Sequence, residues 1–135
     1  MSQLEVDKVI PQSGTNLQIG EAGDTINLTT ATVNLPTGVG GTSWQAVKTA
    51  NFTAVSGEGY FVNTTGGVIT ATLPSSATIG NEVSIIDYAG TADTNNITIG
   101  RNGHNIQGAA SDMTVSTERA AFTLVYVDST QGWLL

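Results

Sequence analysis

Two stretches of this chain are written to one pattern. Asn16-Leu17-Gln18-Ile19-Gly20-Glu21-Ala22-Gly23-Asp24-Thr25-Ile26-Asn27 returns as Asn96-Ile97-Thr98-Ile99-Gly100-Arg101-Asn102-Gly103-His104-Asn105-Ile106-Gln107. Each reads as a short strand, a turn framed by two glycines, and an isoleucine that begins the next strand. Residues two apart share a face of a strand but not of a helix, so Leu17 with Ile19 and Ile97 with Ile99 are strand signals. The turns carry no nucleophile signature, metal cluster or phosphate cradle, and the pattern is that of a scaffold.

Composition carries the same message. Threonine, serine, asparagine and glycine make up about two fifths of the 135 residues, well above ordinary globular usage, and only 11% of residues are charged. Threonine suits a pleated surface, while asparagine and glycine supply the positive φ angles of tight turns. The length fits one domain, or one modest domain with an extended arm.

The charge pattern excludes some partners. The net charge is −7, and the four cations Lys8, Lys48, Arg101 and Arg119 are scattered, whereas nucleic-acid binding needs them clustered. With no cysteine there is no disulfide, thiolate metal site or cysteine nucleophile. The segment Met1 to Lys8 lacks the basic start and apolar run of a signal peptide, and no apolar stretch approaches membrane-spanning length. The expectation is therefore no nucleic acid and no membrane insertion.

Residues 1–41 form a region without an aromatic residue. Its apolar positions, Leu4, Val6, Val9, Ile10, Leu17, Ile19, Ile26 and Leu28, then Val33 and Leu35, are too sparse to close a core alone. The alternation exposes one apolar edge, which needs cover from the rest of the chain or from copies of itself, so the first eight are the candidate oligomer interface. Pro36 to Ser43, with its proline and three glycines, reads as the linker.

The aromatics begin at Trp44, and residues 42–135 are expected to form the packed domain. Strands are expected near Phe52–Val55, Tyr60–Asn63, Val68–Leu73, Glu82–Tyr88, Asn96–Gly100, Met113–Thr117, Ala121–Val127 and Gly132–Leu135. Their spacing suggests an all-β domain of the β-sandwich or jelly-roll kind. Alternation places Ile69, Ala71 and Leu73 on one face, Val83 and Ile85 inward, Phe122, Leu124 and Tyr126 together, and Ile97 and Ile99 with them. Leu124-Val125-Tyr126-Val127 is apolar on both faces, the mark of a strand covered on each side, with a subunit contact as one source of the second cover. Trp44 to Ala50 is the one segment able to pass for a helix, with strand or coil favoured.

No catalytic constellation stands out. His104, the sole histidine, sits in a turn without a neighbouring nucleophile signature and reads as a solvent-exposed turn residue. Asp87, Asp93, Asp112, Glu118 and Asp128 include enough carboxylates for a glycosidase pair, but most lie in or beside turns, where aspartate caps backbone. Asp93-Thr94-Asn95-Asn96 offers oxygen ligands without the fuller calcium loop and reads as a hydrogen-bonded turn. No cofactor or metal is expected. Trp44, Tyr60, Tyr88 and Trp133 are the candidate glycan or interface aromatics, with core or interface packing the stronger reading for the tryptophans. Trp133 with Leu134 and Leu135 is expected to tuck back as a closing strand or to pack on a neighbouring subunit.

Two stretches carry a family likeness. The run from Glu5 to Ile26 resembles the opening of short tail-fibre and fibre-like proteins of aquatic bacteriophages, cyanophages among them. Gly57 to Thr65, Asp87 to Thr91, Asn96 to Gly103, and Leu124 to Asp128 through Trp133 resemble a module of the same kind of virion protein. The resemblance implies a non-enzymatic, β-rich homotrimer assembled in the host cytoplasm and exposed on the particle, contacting other virion proteins of tail or capsid and a host surface glycan. Related fibre chains are commonly longer, and 135 residues suits a short fibre, an adaptor or a capsid decoration protein. A carbohydrate-binding module is the reading from another class.

Overall fold

The structure, a computed structural model, describes residues 41–135. The expected arm interface from Leu4 to Leu28 lies outside these residues. The described part is all-β, with nine strands and no helix. They are β1 (Ser43–Trp44), β2 (Phe52–Thr53), β3 (Glu58–Val62), β4 (Ile69–Thr72), β5 (Glu82–Asp87), β6 (Ile97–Gly100), β7 (Met113–Val115), β8 (Ala121–Asp128) and β9 (Gly132–Leu134). Trp44 to Ala50 is extended rather than helical: Ser43 and Trp44 form β1, and Lys48 bridges Val62.

The strands divide between a five-stranded sheet of order β1-β3-β5-β8-β9 and a four-stranded sheet of order β2-β4-β6-β7. From β1 to β6 the chain alternates between them, one strand in each per circuit. Successive circuits therefore stack in parallel: Ser43 pairs with Glu58 and Glu58 with Val83 in the larger sheet, while Phe52 pairs with Ala71 and Ala71 with Ile99 in the smaller. The far end is antiparallel, with β7 on β6, β8 on β5 and β9 on β8. The sheets are thus mixed. A jelly roll pairs its strands antiparallel, whereas here each sheet begins with parallel coils that are closed by returning strands.

The inner faces of the two sheets share one core. Tyr60, Val62, Val83, Ile85, Leu124, Tyr126 and Trp133 enter it from the larger sheet, and Ile69, Ala71, Ile97, Ile99 and Val115 from the smaller. Each set follows strand alternation, as in Ile69 and Ala71 buried beside half-exposed Thr70 and Thr72. The rings of Phe52 and Tyr60 meet between the sheets, 4.7 Å apart.

The second copy of the repeated phrase takes its expected form only in part. Ile97–Gly100 is strand β6, and Asn102 and Gly103 turn with φ of 49° and 92°. Ile106 begins no strand; it is buried and makes isolated bridges to Ala109 and Trp133. The first copy lies outside the described residues.

Candidate functional site

The two sheets present opposite chemistry to solvent. On the smaller sheet the outward positions are threonines in register: Thr70 beside Thr98 beside Thr114, and Thr53 beside Thr72. Hydroxyls facing water cost nothing to leave uncovered, and this is an ordinary solvated sheet face.

The outer face of the larger sheet differs. Gly59 and Phe61 on β3 alternate with buried Tyr60 and Val62, and in register across β5 and β8 lie Ser84 with Thr123 and Ile86 with Ala121. Val125 and Leu134 continue the surface onto β9. Trp44 leans over it from β1, with its ring 4.9 Å from Phe61 in a stacked arrangement. The indole remains 47% exposed and Val125 36%. A shallow groove of about 310 Å³ runs among Thr42, Trp44, Ser84, Ile86, Ala121, Phe122 and Thr123.

Backbone requirements hold this face together. Gly59 has no side chain because Trp44 and Thr42 occupy that space: a β-carbon there would lie 2.6 Å from Trp44 Cε3 and 2.7 Å from Thr42 Cγ2. The Ser84 and Thr123 hydroxyls bond each other at 2.8 Å, so each member of the polar pair in the middle of the face has a partner within the chain. Glu82, opposite Val125 at the start of β5, and Asp128, opposite Gly132 at the end of β8, put the carboxylates of the outward strand positions at one margin.

A second organised region lies where β5 ends. The Asp87 side chain is buried and accepts N–H bonds from Gly90 at 3.1 Å, Thr91 at 3.4 Å, Ala92 at 3.3 Å and Arg119 at 3.0 Å. One carboxylate thereby gathers two loops, its formal charge met by backbone dipoles. The Arg119 guanidinium lies across Gly90 and donates to the Tyr88 carbonyl at 2.7 Å.

The four candidate aromatics have separate fates. Trp44 and Tyr88 are half-exposed, whereas Tyr60 and Trp133 are core residues with 2% and 0% exposure and present no surface to a glycan. Trp133 lies in closing strand β9, edge-on to Tyr126 at 5.5 Å between ring centres. Tyr60 donates its hydroxyl hydrogen to Glu58 and accepts the Val55 N–H at 2.8 Å. Burial and, after it, the Glu58 bond push the Tyr60 phenol up to about 12. Trp44 is paired with Phe61 and not with Tyr88. Phe61, Ile86 and Ala121 complete the open face and were missed as a set; their signal was apolar residues at both parities of one strand.

The histidine and the turn carboxylates weighed for catalysis make the following contacts. His104 is half-buried rather than solvent-exposed, edge-on to Tyr126 at 5.0 Å and 3.0 Å from the Ser75 carbonyl. Asp112 accepts the Arg101 N–H at 2.9 Å, and Asp128 accepts those of Thr130 and Gln131 at 2.8 and 2.7 Å, as turn aspartates do. In the Asp93 segment, Asn95 and Asn96 donate to the carbonyls of Thr64 and Ala92 at 2.9 and 2.8 Å, forming a bonded turn. Among the described residues no group of three or more histidine, aspartate or glutamate side chains is placed to hold a metal ion.

No protein-family model matches the chain, and no curated protein matches it.

Proposed function

We propose that this chain is a non-enzymatic virion structural protein of tail-fibre type, a homotrimer that assembles or attaches through its N-terminal arm and projects its β domain from the particle. The polarity of the winding carries the reading. At one end, strands β1 and β2 leave an edge without a partner among the described residues, and the described chain enters there at Gly41. At the other end the parallel order gives way to returning antiparallel strands, which finish each sheet at β9 and β7. Stacked β-coils need a capping element where they meet water, and the change from parallel coils to returning antiparallel strands at the C-terminal end suits an outward tip. The threonine-covered smaller sheet and the net charge of −7 suit a surface that stays soluble while displayed.

Antibody against the chain, applied to purified particles, tests this. Label confined to the tail supports the fibre reading, label spread over the head makes the chain a capsid decoration protein, and particles without label overturn both.

A carbohydrate-binding module is the second reading, and the half-exposed Trp44 beside Phe61 is what favours it, since an indole face stacks on a sugar ring. Glycan-array binding lost in Trp44→Ala supports it; binding to no glycan overturns it.

A further inference from the structure

We propose that the outer face of the five-stranded sheet is an interface between copies of this chain. The inference rests on the assembled state proposed above and adds a contact within the β domain itself.

The contrast between the two sheets is the first support. One fold, with one core, covers the outer face of its smaller sheet with threonine and that of its larger sheet with Trp44, Phe61, Ile86, Ala121 and Val125. A sheet face of the second kind, with a half-exposed indole, marks a surface that is covered in the working state.

Charge selects the occupant. The chain carries −7, so two copies repel in most orientations. On this face the outward strand positions hold two carboxylates, Glu82 at the start of β5 and Asp128 at the end of β8, both at one margin. Copies meeting over the rest of the face bring uncharged strand positions together. A basic partner, which the overall charge would attract, finds almost nothing to pair with on this face.

Desolvation is also modest. The polar groups in the middle of the face, Ser84 and Thr123, are bonded to each other, which meets part of their hydrogen-bonding need within the chain. The pair uses one of its two O–H donors, so covering it leaves a single hydroxyl donor to place, while covering the indole and the aliphatic side chains removes apolar area from water.

The natural chain has no cysteine, so single-cysteine variants of the full chain report on this face without background. Ala121→Cys and Val125→Cys bracket it along β8, and Val68→Cys, at a position 59% exposed beside the threonine-covered sheet, is the control. Each is labelled with a maleimide while light scattering records the oligomer. The expected result is a multimer in which Ala121→Cys and Val125→Cys label about tenfold or more slowly than Val68→Cys. A multimer in which all three label alike overturns this interface and leaves arm-driven assembly standing. A monomer with all three accessible overturns both. A monomer whose face is protected only on addition of an oligosaccharide makes the face a sugar platform and equally overturns the contact between copies.

Discussion

Trp44 and Gly59 are register partners on adjacent parallel strands, and the indole occupies the space that a side chain at 59 would need. This one relationship sets the shape of the open face, because the ring is held against Phe61 instead of turning away from the sheet.

Gly59→Ala is expected to lift the indole off the sheet. Its β-carbon meets Trp44 Cε3 at 2.6 Å, so the ring has to move. Trp133 is fully buried and supplies a constant blue emission, so tryptophan fluorescence should shift to the red through Trp44 alone. Overpacking of this kind costs about 1–2 kcal/mol in unfolding experiments.

Gly132→Ala is expected to be more severe. Gly132 has φ of 73°, and a β-carbon there would overlap the Asn105 carbonyl, which accepts the Trp133 N–H at 2.9 Å. Backbone strain and the clash together should lower stability by about 2–4 kcal/mol, read as an earlier urea midpoint with an unchanged slope.

Asp87→Ala leaves four backbone N–H groups without their acceptor. A loss of about 3 kcal/mol is expected. Hydrogen exchange should rise first at Gly90, Thr91, Ala92 and Arg119, the amides the carboxylate now holds.

Tyr60 should make the protein sensitive to strong alkali. Its phenol is raised from 10.0 to about 12 in the folded state, so between those values the unfolded chain gives up a proton that the folded chain retains. Stability from this group is fully present below pH 10 and is lost as pH rises toward 12. Tyr60→Phe should cost about 1 kcal/mol at neutral pH, from the lost bonds to Glu58 and Val55, and should flatten the alkaline slope relative to the natural chain. Urea unfolding of both proteins across that range measures the difference.

Strand positions were highly legible, and pairing was not. Each of the eight expected strands has an observed counterpart, because alternation of the Ile97-Thr98-Ile99 kind is a property of the segment itself. Direction is a property of the connections, and those from β3 to β4 and from β4 to β5 cross between sheets instead of turning back as hairpins. Nothing in Asn63 to Val68 or Leu73 to Asn81 distinguishes a crossing from a hairpin loop. The two-residue β1 was too short to carry a pattern.

The candidate site was legible in proportion to how local its signals were. Val125 was marked by a run apolar on both faces, and the face it belongs to is the one left open. Tyr60 and Trp133 were ambiguous because an aromatic serves a core and a surface equally well until its strand's inward parity is known. His104 was placed in a turn correctly, but its packing on Tyr126 depends on a strand distant in sequence.

Molar mass in solution is the most direct test of the proposed assembly. Multi-angle light scattering on the full chain should return three times the 13.9 kDa of one copy. A stable 13.9 kDa species at every concentration would contradict it.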